Sequence, residues 1–393
     1  MKWFGRMAAR ATGRPFLFSD WRGMAAGEPW PRSYEAQVRE AYLGNPIAQR
    51  AVRLVAESVA WAPVYAMRSP AEAGVQKREG AGPRPSPGNI EDRASALATP
   101  ALLETVATQL LLHGNAFVQL VQDADGLPAL LYPLRPERVG VEGDAGGWPA
   151  AYVYKVGAAK SRIAAQDGLG RPGLVHLRSA HPLDDHYGLG CLGAAAGAVA
   201  VHNAAAKWNK ALLDNAARPS GALVHDAGDG ELLSEAQFAR LRDELEGEFS
   251  GMRNAGRPLL LDGGLKWQAM SLTPADMDFV ALKAAAAREI ALAFGVPPLL
   301  LGLPGDATYA NYREANKALW RLTVLPMAER ILRGLSDGLA AWWPGLALKV
   351  DVDQISALAS DRERLWRQVS GADFLSDAEK REMLGFGPPA ASS

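Results

Sequence analysis

Apolar side chains recur at helical spacing in several stretches of this chain, each bounded by residues that start or stop helices. Asn45-Pro46 opens the first, with Asn as the cap and Pro at a position that needs no N–H. Ala48, Val52, Val55, Ala56 and Val59 form its stripe, and Pro63 stops it. Thr99-Pro100 opens the second, which runs through Leu103, Val106, Leu110 and Leu111. His113-Gly114-Asn115 ends it with residues that tolerate positive φ. The pattern then changes to strands. AFVQLVQ, the turn Asp123-Ala124-Asp125-Gly126 and LPALLYPL predict a β-hairpin. RVGVE, AYVYKV and GLVHLRS continue as short strands between Gly-rich turns, so a mixed α+β domain is expected over residues 34–179.

The second half is mostly helical. Residues 188–217 are Ala-rich, and GALVHD follows as a short strand. Ser234-Glu235-Ala236-Gln237 is a capping box for a helix carrying Phe238, Leu241, Leu245 and Phe249, closed by Gly251. RPLLLDGGLKWQAMSL predicts two strands around Asp262-Gly263-Gly264. Thr273-Pro274-Ala275-Asp276 opens a helix whose face is Phe279, Leu282, Ala286, Ile290 and Ala293, with Gly295 at its end. After a loop rich in Gly, Pro, Asp, Thr and Tyr, Asn311 is expected to cap a further helix with Glu314 at its third position. Pro326 is expected to kink that helix. Residues 346–352 read as a strand and 361–385 as a short charged helical tail. From Ser234 to Leu335 the order is helix, small β element, helix, loop, kinked helix. Such a hairpin with a β tip is a projection, which is best supported by neighbouring subunits, so an oligomer is expected. Residues 1–31 read as a loosely ordered arm and 69–89 as a surface loop or linker.

Composition narrows the function. With 393 residues, 48% of them hydrophobic, the chain can bury a sizeable core. A net charge of −1 argues against a strongly basic nucleic-acid binder. The single cysteine, Cys191, allows no intrachain disulfide and points to a reducing compartment. Lys2, Arg6, Arg10 and Arg14 make the start basic, but no apolar segment of a secretory signal accompanies them. No run approaches the roughly 20 apolar residues of a membrane span, so no membrane partner is expected.

Chemistry-bearing candidates are few. His181-Pro182-Leu183-Asp184-Asp185-His186 has the residue types of a metal site, but its spacing fits neither a helical His pair nor a zinc loop, and a polar turn is the expected reading. An α+β metal-dependent enzyme using His181, Asp184, Asp185 and His186 is kept as the alternative. His176 reads as a structural histidine within a strand and Cys191 as a packing residue. No G-x-S-x-G and no Gly-Lys-Ser/Thr phosphate loop occurs. Neither a catalytic set nor a cofactor is expected.

Taken in order, several segments resemble the portal proteins of long-tailed double-stranded DNA phages. They are LLLHGNAFVQLV with LYPLRPERV, VHLRS with Gly188-Leu189-Gly190, ALLDNAARPSGAL, LLLDGGLKWQAMSLTPADMDF, REIALAFGVPPLLLG, TYANYREANKALWRLTVLP and DFLSDAEKREMLGFGPP. The small size and short C-terminal part also resemble the portals of gene transfer agents. The resemblance implies an α+β portal fold with an α/β wing, a helical-hairpin stem, a small β clip, a kinked long helix and a short helical crown. Carried onto this chain, 1–33 would be a flexible arm, 34–233 the wing, and 234–251 and 273–295 the stem helices. Residues 252–272 would be the clip, 296–312 the tunnel-loop region, 313–352 the kinked helix and wing return, and 353–393 the reduced crown and tail. The implied function is a ring, usually of twelve subunits, at one capsid vertex of a virion or phage-like particle assembled in the bacterial cytoplasm. Double-stranded DNA would pass through it during packaging and ejection. The implied partners are the large terminase, a head-to-tail adaptor and the major capsid protein. Gly305, Asp306, Thr308, Tyr309 and Asn311 would face DNA, and Arg253, Arg257, Lys266 and Trp267 would lie in the clip that docks motor and adaptor. A loop over which DNA slides should hold few phosphates tightly, and this one carries no basic cluster. A ring adaptor without DNA contact is a further alternative.

Overall fold

The computed structural model describes residues 33–68, 90–214, 221–225, 234–237, 239–240, 243, 265–269, 279–303 and 308–384. Its centre is built from helices whose caps the sequence announces. In α2 (Pro46–Ala60), Asn45 Oδ1 accepts the N–H groups of Ile47 and Ala48 at 3.0 Å. In α4 (Pro100–Leu112), Thr99 Oγ1 accepts the N–H of Leu102. A short α1 (Tyr34–Val38) with a π-turn precedes α2, and α3 (Ile90–Leu97) precedes α4. Helices α2 and α4 pack against each other. The all-round apolar character of α4 reflects this burial, and among the described residues no single helix is long and apolar enough to cross a membrane.

Strands β2 (Asn115–Gln122), β3 (Pro128–Leu134) and β7 (Leu174–Arg178) form an antiparallel sheet in the order β3-β2-β7 against α4. A second antiparallel sheet contains β4 (Val139–Gly143), β5 (Pro149–Val156) and β6 (Ala159–Ala164). Phe117, Leu134, Val139, Tyr152 and Leu174 form a small separate core joining the two sheets. The predicted hairpin is present with Phe117 opposite Leu134. Strand β6, AKSRIA, is largely exposed and lacks the alternation that marks a strand, so the sequence pattern misses it. Three turns share one plan: Asp123, Asp144 and Asp167 each accept two backbone N–H groups, two and four residues on, through Oδ1. Only the first was anticipated.

The ribbon β1 (Val64–Arg68) with β10 (Leu346–Val350) pairs residues far apart in sequence, Val64 opposite Val350. Strand β10 lies beside a long helical segment. That segment consists of α7 (Tyr309–Leu319), a π-turn at Trp320–Val324, and α8 (Leu325–Leu339). Helix α8 buries Ile331, Leu335 and Leu339 completely, and truncating any one to Ala would cost about 2–5 kcal/mol. Its Gly334 and Gly338 have a packing reason. A Cβ at these positions would lie 2.1 Å from Leu177 Cδ2 and 2.2 Å from Val175 Cγ2 of β7. At Pro326, where a kink is expected, a π-turn immediately precedes the proline. Pro326 lacks an N–H and crowds the preceding turn, and the N–H of Leu325 reaches back five residues to Trp320 O.

Two further elements project from this body. Helix α5 (Leu192–Asp214) packs along α6 (Phe279–Ala293), with Trp208 stacked on Phe279 at a ring separation of 6.0 Å. Strands β8 (Gly221–His225) and β9 (Leu265–Ala269) pair antiparallel just beyond the ends of these helices. Among the described residues, the helix packed along Phe279–Ala293 is Leu192–Asp214. The capping box at Ser234 is present, with Ser234 Oγ and Gln237 Oε1 exchanging backbone contacts. Most of the remainder of that helix and the first strand of the tip lie outside the described residues. The chain ends in α9 (Ala359–Ser370) and α10 (Asp377–Met383), which begins with a second capping box, Ser376 with Glu379.

Candidate functional site

Two places carry the chain's unusual geometry: the loop between α6 and α7, and the junction of the HGN and GLG motifs. The loop is anchored at both ends. Phe294 is buried at the end of α6, and Gly295, with φ +66°, turns the chain out. Thr323 of the π-turn donates its hydroxyl to Gly295 O at 2.6 Å, tying the loop's start to the segment that follows it. A 3-10 turn at Pro298–Leu301 leads to Leu303. Helix α7 then begins at Tyr309, capped by Thr308, whose Oγ1 accepts the N–H of Asn311 at 3.2 Å. The cap is therefore Thr308, and Asn311 lies inside the helix. The Thr308 hydroxyl oxygen accepts the backbone N–H of Asn311, one of the donors that the first turn of a helix leaves open.

Of the predicted loop residues, Tyr309 is 79% exposed and Asn311 is also exposed, both in the first turn of α7; Gly305 and Asp306 lie outside the described residues. Tyr312 is half exposed, and the Arg313 guanidinium sits 6.0 Å from the Tyr309 ring centre. The base of α7 is held ionically. Asp361 of α9 lies 3.1 Å from Lys317, 2.6 Å from Arg321 and 3.3 Å from Arg364. The hydrogen bond from Lys317, helped by the charges of Arg321 and Arg364, holds the Asp361 carboxyl below the usual carboxylate range against its desolvation. The loop helix thus has an exposed tip and a clamped base. Of the predicted tip residues, Lys266 is exposed opposite Val224, and Trp267 sits opposite Leu223 in the β8–β9 ladder. Arg253 and Arg257 lie outside the described residues.

The second place is a buried node around Asn115. Its Nδ2 donates to Gly188 O at 3.1 Å, and its Oδ1 accepts from Gly188 N at 2.7 Å. Its side chain also meets His176 Nε2 and His113 Nδ1, each at 3.1 Å. His176 stacks on Phe117 at 4.2 Å, and burial first, then the charge of Arg178, pushes its pKa down to about 4. His113 is lowered by burial and lies edge-on to Tyr34. Gly114 adopts φ +82°, and a Cβ there would lie 2.3 Å from Leu189 C. Likewise a Cβ at Gly190 would lie 2.3 Å from Leu112 O. The two motifs are one contact, which fixes the start of α5 against the end of α4. Sequence reasoning took HGN for a helix stop and GLG for a helix start and did not join them.

His181–His186 form a turn on the surface. Asp184 Oδ1 accepts the N–H groups of His186 and Tyr187 at 2.7 and 2.8 Å, which lower its pKa, and His181 Nδ1 accepts from Leu183 N. The leading carboxylate of the alternative enzyme reading is thus engaged in shaping its own turn. Among the described residues no three His, Cys, Asp or Glu side chains converge for a metal. The cleft beside the turn, lined by Arg178, Ser179, His181, Asp185 and Arg330, is open and polar. Nothing in this turn supports the metal-dependent enzyme reading.

Residues 46–385 match the family model described as phage portal protein. A chain in the virion of a native gene transfer agent particle is 45% identical, with a TM-score of 0.66 over 93% of this chain and 98% of that one. A chain in the neck of a native particle of the same kind, computed with C12 symmetry, is 44% identical over the same shares. An uncharacterized protein of Rickettsia felis is 39% identical over 89% of this chain and 88% of its own length. The probable portal protein of Streptomyces phage phiC31 is 32% identical over 42% of this chain and 36% of its own.

Proposed function

Since the chain belongs to the phage portal protein family, we propose that it forms the portal ring of a phage-like particle of the gene-transfer-agent kind, at one capsid vertex, with twelve subunits. The observation that carries this reading is the near-complete match to a chain of a C12-symmetric particle neck. The portal family is structural, and the ring's work would be mechanical: to pass double-stranded DNA inward during packaging and outward on ejection.

The packing suggests how the parts divide. Helices α5 and α6, which pack along each other on either side of the clip segment, would make the stem. The segment between them, residues 215–278, makes the clip, carrying Arg253, Arg257, Lys266 and Trp267. It would dock the large terminase and later the head-to-tail adaptor. The body of helices and sheets before α5, closed by α8 and β10, makes the wing, which would meet the major capsid protein. Helices α9 and α10 are the reduced crown.

The loop from Leu303 to Thr308, with Tyr309 and Asn311 behind it, would line the channel. Neutral polar groups and exposed tyrosine rings can touch a duplex without the counterion release that holds it fast. Of the cations on α7 and its π-turn, Lys317 and Arg321 are engaged by Asp361, and Arg313, the nearest to the loop, lies over the Tyr309 ring. The test is deletion of Gly305–Ala307, which leaves the Thr308 cap in place. Rings of native size should form, with packaging or DNA retention in the particle reduced. Full particles at normal levels would overturn the loop's role.

A further inference from the structure

Four polar side chains meet where α5 reaches the entry to α2, and the cap of α2 dictates how they are oriented. Asn45 is 1% exposed. Its Oδ1 accepts the N–H groups of Ile47 and Ala48. Its Nδ2 must therefore point away from α2, because a reversed amide would set its NH2 against two backbone donors. That Nδ2 carries two hydrogens. One goes to Asn203 Oδ1 at 2.8 Å and the other to His202 Nδ1 at 3.1 Å. Asn203 Nδ2 in turn donates to Glu40 O at 3.1 Å and to Glu40 Oε1 at 2.8 Å. Glu40 belongs to the π-turn Arg39–Leu43, which leads into α2.

The run of donors ends on His202 and fixes the state of its ring. Nδ1 must be a bare acceptor, so the proton of the neutral imidazole sits on Nε2. His202 and Asn203 are buried, and a hydrogen bond lost there is not replaced by bulk water. A proton on Nδ1 would set two donors against each other at the present 3.1 Å. Asn45 cannot turn away without uncapping α2. Asn203 Oδ1 favours the imidazolium but already accepts from Asn45, so the two donors compete for it. The charged groups on the surrounding elements are Lys283 of α6, which opposes a second cation, and Glu40, whose carboxylate is engaged by Asn203.

We propose that Asn45, His202, Asn203 and Glu40 form an acid-releasable joint, closed while His202 Nδ1 is bare and opened by one proton, which frees the middle of α5 from the entry to α2. Burial, then the charge of Lys283, lowers the pKa of His202 from its ordinary 6.5. The joint is therefore whole at neutral pH and opens as pH falls through the lowered value. It is separate from the Asn115 node, which holds the start of α5, and it does not depend on the ring reading. In a portal ring it would let the stem helix move against the wing on acidification.

The test uses the full chain labelled with nitrogen-15 at histidine. NMR at pH 7.5 should show His202 Nδ1 unprotonated, and a proton on Nδ1 at that pH would overturn the proposal. Hydrogen exchange, corrected for the intrinsic effect of pH, is then followed from pH 7.5 to 4.5 in a His176→Gln background. Exchange in the middle of α5 should quicken at least about fivefold, as for a lost buried hydrogen bond, with a midpoint that matches the NMR titration of His202. His202→Asn sets a carbonyl oxygen, which does not titrate in this range, near the place of Nδ1 and should abolish the rise. No rise, a rise with a different midpoint, or an equal rise in the asparagine variant would each overturn the joint and leave the portal reading standing. Should that variant not fold, the tautomer and the matching midpoints still decide.

Discussion

Lowering the pH should loosen the junction between the end of α4 and the start of α5, and the effect can be sized from His176. This imidazole stacks on Phe117, faces Tyr152 and meets Asn115 Oδ1. Burial holds its pKa at about 4 against an ordinary 6.5. The unfolded chain takes up this proton near pH 6.5 and the folded chain only near pH 4. The stabilisation is therefore complete above about pH 6.5 and is lost progressively as pH falls towards 4. A shift of that size corresponds to about 3 kcal/mol, a large share of the 5–15 kcal/mol typical of a domain. His113 and His202 are also lowered by burial and act in the same direction. Urea titrations of the unassembled chain between pH 7.5 and 4.5 should show the midpoint falling through this window. His176→Gln should flatten the fall by about 3 kcal/mol. An NMR titration that places the His176 midpoint at 6.5 or above, or an unchanged pH slope in the glutamine variant, would refute the reasoning.

Two other substitutions test neighbouring claims. Gly114→Ala sets a Cβ 2.3 Å from the Leu189 backbone at φ +82° and should cost at least about 3 kcal/mol by denaturant melting. Gly157→Ala, at φ +59° in open space, should cost only about 1 kcal/mol. Asp361→Asn should release the base of α7. Hydrogen exchange across Tyr309–Leu319 should then quicken roughly fivefold to tenfold, in keeping with about 1 kcal/mol from partly hydrated ion pairs, while α8 stays protected. In the unaltered protein the same release should appear only at acid pH, because the Asp361 carboxyl is held below its usual range.

Local chemistry made much of this fold readable. Asn45-Pro46 and Thr99-Pro100 mark their helices because cap and first-turn proline act within four residues, and the structure places both caps where the residues indicate. The hairpin at Asp123 was equally legible from its turn. Contacts between distant segments were not. Nothing in VYAMR announces that it pairs with LALKV. Asn115 reads as a helix stop until Gly188 is brought beside it. That α5 packs along α6 could not be read either, because the two helices are separated by more than sixty residues and packing is decided by which apolar faces meet. At the loop, the sequence located the segment and erred by one turn on its cap. Thr308 and Asn311 are both good capping residues, and only geometry separates them.

The ribbon that joins Val64 to Val350 also bears on when a subunit becomes fit to assemble. The two strands leave the ribosome roughly 15–60 s apart at ordinary elongation rates. Until the second emerges, α8 lacks β10, one of the strands that cover it. A truncated or nascent chain therefore offers neighbours an unfinished surface, and the closing strand acts as a proofreader. Only chains synthesised past Val350 can complete the body that carries α5.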